Sequence, residues 1–440
     1  MPRPIHLSVA RGAPPRHGKD RSRTAAVRLI AVAAVSLLGV AACAAPGVSI
    51  AATGPGSAAT PTTSWADISA QAKGQTVSLW MWGGDPKGNA YVDNVLAPAA
   101  KRAGVTLRRV PIADTKDALN RVLAERQAGR TDGSVDLVWV NGDNFATGAQ
   151  AGAWKCGWTA QLPNMKYTKA GDPLLAKDFG TPVNGCEAPW NKAQFTLVYN
   201  AETVPNPPTT MAGVLAWAKA HPGRFTYPAP PDFTGSVFVR QVLYSVSGGY
   251  QKVPTSFEQS AFDRLTPPLW STLKNLAPSL WRGGATYPRD SVALDKLYAD
   301  GQVDMTMTYG PATLTDLVAK GTFPATTRVL TLKGGTVGNA SFLALPSTSP
   351  HSAGAMVVAN LALSPAQQVA KADPTVWGQF TVLDTAALPP ADKSAFAALP
   401  VSPVVPPYPV LSAGANPELA AGWVPKIDDG WRRNVLGAAR

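Results

Sequence analysis

The sequence has few of the residues that catalysis usually requires. There are four histidines in 440 residues: His6 and His17 lie near the N-terminus, His221 precedes Pro222, and His351 follows Pro350. No Gly-x-Ser-x-Gly elbow, His-Glu-x-x-His pair or Gly-x-x-x-x-Gly-Lys-Ser/Thr loop occurs. The common signatures of serine hydrolases, zinc peptidases and phosphate-loop enzymes are therefore missing. Three cysteines are too few for a disulfide framework, and none has a His or second Cys at ligand spacing, so no metal site is expected. Charged residues make up only 15% of the chain. Half of the net charge of +12 falls within residues 1–42, and no Lys/Arg run follows, which argues against a nucleic-acid partner. After residue 43 no segment approaches the roughly 18 apolar residues of a transmembrane helix.

The hydrophobic fraction is 45%, enough for an ample core, while 41 Pro and 39 Gly imply many short connections. The length suits two or three domains. Arg3, Arg11, Arg16, Lys19, Arg21, Arg23 and Arg28 precede the apolar run Leu29–Val40, which has the length of a signal-peptide core. Val40-Ala41-Ala42-Cys43 resembles the lipobox of bacterial lipoproteins, in which the cysteine is acylated and becomes the mature N-terminus. The alternative is an ordinary signal peptide with Cys43 incidental. Residues 1–42 are thus read as a lipoprotein signal peptide, and the Gly/Pro/Ser/Thr-rich residues 43–64 as a flexible tether. With Cys43 lipidated, Cys156 and Cys186 remain as an even pair for an oxidising compartment, either bridged or as two buried thiols.

From Thr76 onward, strand and helix patterns alternate. Thr76–Trp82 reads as a strand that ends in Gly83-Gly84, and Thr106–Pro111 and Asp136–Val140 as further strands. Leu119, Val122 and Leu123 share the face of a helix capped at Asp114 or Thr115. Strand patterns recur at Gln194–Asn200, Val303–Tyr309 and Val337–Leu345, with helices at Thr210–Ala220, Val237–Ser245 and Ser291–Ala299. This alternation predicts an α/β fold with a largely parallel sheet.

Six blocks in order, Val77–Gly84, Asp136–Phe145, Pro189–Asn200, Arg224–Ser236, Gly301–Pro311 and Gly338–Pro346, resemble the type II solute-binding proteins of ABC importers, most closely their YnjB-like subgroup. The resemblance spans residues 65–440. It implies a two-lobed periplasmic-binding-protein-like (type II) α/β fold with hinge strands. Lobe 1 would comprise 65–197 plus 339–372, and lobe 2 residues 198–338 plus 373–440. It further implies a monomer without cofactor, exported and lipid-anchored, that passes a small-molecule solute to permease subunits. The Cys156–Cys186 pair is not a general feature of that class.

In open α/β sheets ligands sit beyond the carboxyl ends of strands. That rule selects Trp82, Gly83, Gly84 and Asp85 after the first strand, and Asn141, Asp143, Asn144 and Phe145 after another. Trp190, Gln194, Asn339 and Ser341 fall at the expected crossings. Phe233, Thr234, Gly235 and Ser236 open a helix whose N-terminus would suit an anion, and Tyr309 ends a strand. Asp85, Asp143, Asp232 and the tryptophans would instead suit a cation. A zwitterion, or a phosphorylated cation such as a thiamine ester, would satisfy both sets. Two other classes remain open: a penicillin-recognising acyl enzyme using the Ser-x-x-Lys tetrad Ser271–Lys274, and a secreted adhesion module.

Overall fold

Strand β1 (Thr76–Trp82) buries Val77, Leu79 and Met81 on one face and turns Trp80 to the other, the period of two expected of a sheet covered on both sides. The structure, a computed structural model, describes residues 63–311, 313–407, 410–411 and 414–437. The signal peptide, Cys43 and nearly all of the tether lie outside these residues. At the tether's end, Ser64 caps the helix Trp65–Ala72 in a reciprocal capping box with Asp67, so the fold begins there.

β1 lies between β2 (Thr106–Ile112) and β3 (Leu137–Val140), parallel to both. The short strands β4 (Lys177–Asp178) and β5 (Thr181–Pro182) form a hairpin. β6 (Glu187–Gln194) and β10 (Thr336–Ala344) then pair antiparallel, and β10 also runs antiparallel to β3 and parallel to β11 (Ala415–Pro417). The sheet is therefore mixed, not largely parallel as expected. The parallel part ends at β3, because β10 enters from the other lobe and so runs against it.

A second sheet is formed by β7 (Thr196–Asn200) between β8 (Met305–Thr308) and β9 (Thr327–Leu330), antiparallel to both. Two large cores follow from the two sheets. The first contains Leu79, Tyr91, Leu137, Trp190, Leu343 and Trp377; the second contains Leu197, Phe238, Leu243, Met305, Trp423 and Trp431. The chain passes from the first to the second between Gln194 and Thr196, where the Phe195 N–H donates to the Val337 carbonyl. It returns along β10, whose nine residues are all buried. Trp377, Val382, Leu383 and Leu388 pack in the first core. Phe380 packs in the second core, which takes up the chain again at Val404, so the segment from 373 to 388 touches both cores while most of its buried apolar residues belong to the first.

Cys156 and Cys186 form a disulfide. It fixes the residue immediately before β6 to the loop that follows the helix Gly142–Gln150. The lobes also touch at their periphery: Ala146, Phe179 and Ala421 form a small apolar contact, and Lys87 Nζ lies 3.5 Å from Asp316.

Candidate ligand-binding site

β6 reads Glu-Ala-Pro-Trp-Asn-Lys-Ala-Gln, with no hydrophobic alternation, yet six of its eight residues are buried. Glu187 is 1% exposed and Asn191 2%. Neither carboxylate oxygen of Glu187 and neither amide atom of Asn191 has a hydrogen-bond partner within the protein. The same holds for Gln194 Oε1, Asn339 Nδ2 and the Tyr309 hydroxyl. Gln194 Nε2 does donate, to Thr336 Oγ1 at 2.9 Å. Register divides them: Asn191, opposite Ser341, and Asn339, opposite Ala193, share one face of the sheet, while Gln194, opposite Gly338, and Glu187, opposite Ala344, share the other, seven residues apart along β6. Buried polar groups are nearly always satisfied, and leaving one unsatisfied costs about 1–3 kcal/mol. Gln194, Asn339 and Tyr309 lie where the chain crosses between lobes, which makes that crossing the candidate site for polar groups from outside the chain.

Buried charges connect this region with lobe 2. Asp178 at the β4 turn is 1% exposed, and both of its oxygens accept the Gly142 N–H at 2.8 Å. Burial raises the Glu187 carboxyl well above the usual range, and the Asp178 charge adds to the rise. Burial likewise raises Asp178, with Glu418 adding to it against the Gly142 hydrogen bond. Glu418 is answered by the fully buried Arg240, whose Nε and Nη2 reach its two oxygens at 2.7 and 3.0 Å. Burial also raises the Tyr309 phenol; Glu418 increases that rise and Arg240 opposes it. These charges are linked in pairs, Glu187 with Asp178, Asp178 with Glu418, and Glu418 with Arg240 and Tyr309.

The residues expected from the sequence divide into three groups. Gln194, Asn339 and Tyr309 lie at the crossing, and Ser341 is two residues further along β10 from Asn339. Trp82 and Phe233 are partly open to solvent at 46% and 42%, and the Phe233 ring meets Tyr309 edge-on at 5.0 Å. A Cβ on Gly84 would come within 2.2 Å of the Trp82 ring, so glycine there is what lets the ring lie where it does. Gly83 lies alongside Pro111, its N–H donating to the Ile112 carbonyl. Asn141, Asp143 and Asn144 begin the helix Gly142–Gln150. Asp143 lines a groove of about 400 Å³ with Lys177 and Thr181 of lobe 1 and Thr255, Phe257 and Gly422 of lobe 2.

The third group is packed or hydrogen-bonded within the protein. Phe145 is fully buried in a core with Leu119, Val122 and Val140, because the helix turns it onto the sheet. Trp190 is also fully buried, packed 5.3 Å from Trp377 and 5.4 Å from Trp139 at a bulge in β6. Asp85 is committed as a cap: it accepts from the Lys87 and Gly88 N–H groups and from Trp377 Nε1. The anion pocket expected at Thr234–Ser236 is already filled. The Asp232 carboxylate accepts the Gly235 N–H, and Ser236 Oγ donates to Asp428 and accepts from Arg240, each at 2.5 Å. Gly235 remains necessary, since a Cβ there would lie 2.1 Å from the Pro228 carbonyl oxygen. Ser271 and Lys274 are exposed on the helix Gln259–Leu276, where Ser271 donates to the Pro268 carbonyl, so the tetrad lies on a helix surface.

The sequence reading missed Asp178, Glu187, Asn191, Arg240 and Glu418. Two signals were available. Glu187 is an acid directly after a bridged cysteine, and Arg240 is the one charge in the apolar helix run Val237–Leu243.

Two α/β lobes joined by crossing strands, with partnerless polar side chains on those strands, define the class of two-lobed periplasmic-binding proteins. The sequence matches the family described as bacterial extracellular solute-binding protein over residues 94–400. The chain belongs to that family. It is 38% identical over 376 residues to Protein YnjB of Escherichia coli (strain K12), covering 85% of this chain and 95% of that protein. In fold it is similar to an ABC transporter protein from Clostridium perfringens ATCC 13124, with TM-score 0.59, 14% identity, and 83% and 100% of the two chains covered. It is also similar to the spermidine/putrescine ABC transporter substrate-binding protein PotD from Streptococcus pneumoniae strain Canada MDR_19A, with TM-score 0.59, 13% identity, and 83% and 99% covered.

Proposed function

We propose that this chain is the capture component of an ABC importer, which encloses a small polar solute between its lobes and presents the closed form to membrane permease subunits. The observation that carries this reading is the set of buried polar atoms without protein partners on β6 and β10, at the passage between the two cores. A solute contacting both lobes favours the closed arrangement by its differential affinity, which is what lets a permease distinguish loaded from empty protein. The peripheral contacts through Lys87–Asp316 and Ala421 support closure without dominating it, since a partly exposed ion pair contributes only about 0–1 kcal/mol. Acylation at Cys43 would hold the protein at the extracytoplasmic face of the membrane.

The direct test is native mass spectrometry of protein purified from its natural host without denaturant. The reading predicts a non-covalent mass increment that disappears on unfolding and is absent from a Gln194→Ala/Asn339→Ala variant. A covalent adduct, or turnover of the bound compound, would contradict it. Anchoring is tested separately by metabolic labelling with radioactive palmitate, which should mark the wild type and not Cys43→Ser.

A further inference from the structure

We propose that the solute carries a flat nitrogen heterocycle, uncharged at the ring, which is clamped between Trp82 of lobe 1 and Phe233 of lobe 2. This rests on the solute-binding reading above and names the part of the ligand that the two lobes share.

Folding normally hides large rings from water, yet Trp82 is 46% exposed and Phe233 42%. The two belong to opposite lobes, and both stand beside the crossing. Trp82 ends β1, where the register Trp80–Val138 carries on to Val140, which pairs with Phe342, three residues from Asn339 along β10. Phe233 opens the helix Phe233–Val246 and meets Tyr309 edge-on at 5.0 Å. Tyr309 follows Thr308, which pairs with Thr196 just past the crossing. One contact joins the two walls. Lys87, five residues after Trp82, lies 3.5 Å from Asp316 on the helix Thr313–Ala319, which follows Tyr309 directly. The loop that carries Trp82 and the loop that carries Tyr309 therefore face each other across the lobes.

The backbone beneath Trp82 is shaped for its ring. A Cβ on Gly84 would lie 2.2 Å from Cζ2 of the indole, so the ring rests on Gly84. Gly84 is not among the glycines with positive φ. The close approach of the ring, not the backbone conformation, is what excludes a side chain there.

Each ring also has near it one buried polar atom with no partner in the protein. Asn89 Nδ2 donates at 2.8 Å to the carbonyl of Gly83, the residue after Trp82, while Asn89 Oδ1 is unpaired. The hydroxyl of Tyr309, next to Phe233, is unpaired as well. An amide oxygen accepts an N–H, and a phenol both donates and accepts. A heterocycle offers these groups at its edge while its faces stack on the rings. A saturated chain would forgo the stacking, and a bare hydrocarbon ring would leave both polar atoms unsatisfied.

The carboxylates near the two rings are committed. Asp85 accepts from the Lys87 and Gly88 N–H groups and from Trp377 Nε1. Asp316 pairs with Lys87 and, at 2.8 Å, with Lys320. Asp232 accepts the Gly235 N–H. The polar atoms left for a ligand beside the rings are neutral, which suits an uncharged ring rather than an ammonium group.

The experiment incubates the desalted mature protein with a small-molecule cell extract, washes it, unfolds it, and reads the released compound by near-ultraviolet absorbance and mass spectrometry. The wild type should release a compound that absorbs in the near ultraviolet, and adding that compound back should raise the melting temperature. Trp82→Leu and Phe233→Leu should each weaken its binding by about tenfold or more, the scale of one lost stacking contact. Their unliganded melting temperatures should stay at the wild-type value, because both rings are exposed. Trp82→Phe should recover most of the affinity, and Gly84→Ala, which keeps the indole but displaces it, should lose affinity. Release of a compound without near-ultraviolet absorbance would overturn the ring assignment and leave the solute-binding reading intact. So would an absorbing compound that binds both leucine variants as tightly as the wild type. Release of no compound from the wild type would overturn both.

Discussion

Buried ionisable residues carry the sharpest consequences. Asp295 lies on the helix Ser291–Ala299 against β8, and burial pushes its carboxyl up to about 7, against a single hydrogen bond from Thr306. A carboxyl raised in the folded state binds its proton more tightly there than in the unfolded chain. Its contribution to stability is therefore intact below an unfolded pKa of about 4 and is lost as pH rises to about 7. Asp295→Asn removes that loss. The variant should melt roughly 2–4 °C above wild type at pH 8, with the difference closing towards pH 4; calorimetry at several pH values reads this. A constant difference across the range would contradict the assignment. Arg240 makes the opposite case. It stands fully buried against Glu418, so Arg240→Met leaves a buried carboxylate unpaired and should cost about 3–5 kcal/mol in urea unfolding. Arg240→Met combined with Glu418→Leu should recover most of that loss.

At the level of elements, legibility in the sequence followed burial pattern. β1 alternates and was read at its observed bounds, and the helix Ser291–Ala299, capped by Asp290 and stopped before Gly301, was also read as it stands. The helix at 237 begins earlier, at Phe233, because Asp232 caps it. β6 was legible only as its last residue, Gln194. A strand enclosed by two lobes and lined with ligand-facing groups need not alternate, and the Trp190 bulge breaks what period remains. The rule that ligands meet strand ends selects Gln194, Asn339 and Tyr309, which keep buried polar atoms without protein partners, together with Phe145 and Trp190, which are packed in the cores. The difference lies in which way a side chain packs, and sequence spacing does not encode that. The disulfide is the covalent support of this region. Closing a loop of about thirty residues, it is worth roughly 3–4 kcal/mol. Cys156→Ser/Cys186→Ser should lose about that in chemical denaturation, and should bind solute more weakly because β6 follows the bridge directly. Unchanged affinity at reduced stability would show that β6 holds its position without the bridge.

For the whole molecule, the account makes closure a property of the solute rather than of the lobes' own contacts. The Lys87–Asp316 pair is the ion pair seen between lobes among the described residues, and it is partly exposed. Lys87→Ala should therefore change solute affinity by only about twofold to fivefold, consistent with roughly 0–1 kcal/mol; equilibrium dialysis reads this. A much larger loss would mean that the lobes are held by their rim.

The claim on which the rest depends is that one solute is gripped on the crossing strands by side chains from both lobes. A crystal structure of the protein with its co-purified solute decides it most directly. The account predicts density for the solute against Gln194 or Asn339 on the crossing strands and against Tyr309 across the cleft. Density confined to one lobe, or lying in the outer groove beside Thr255 and Lys177, would contradict it.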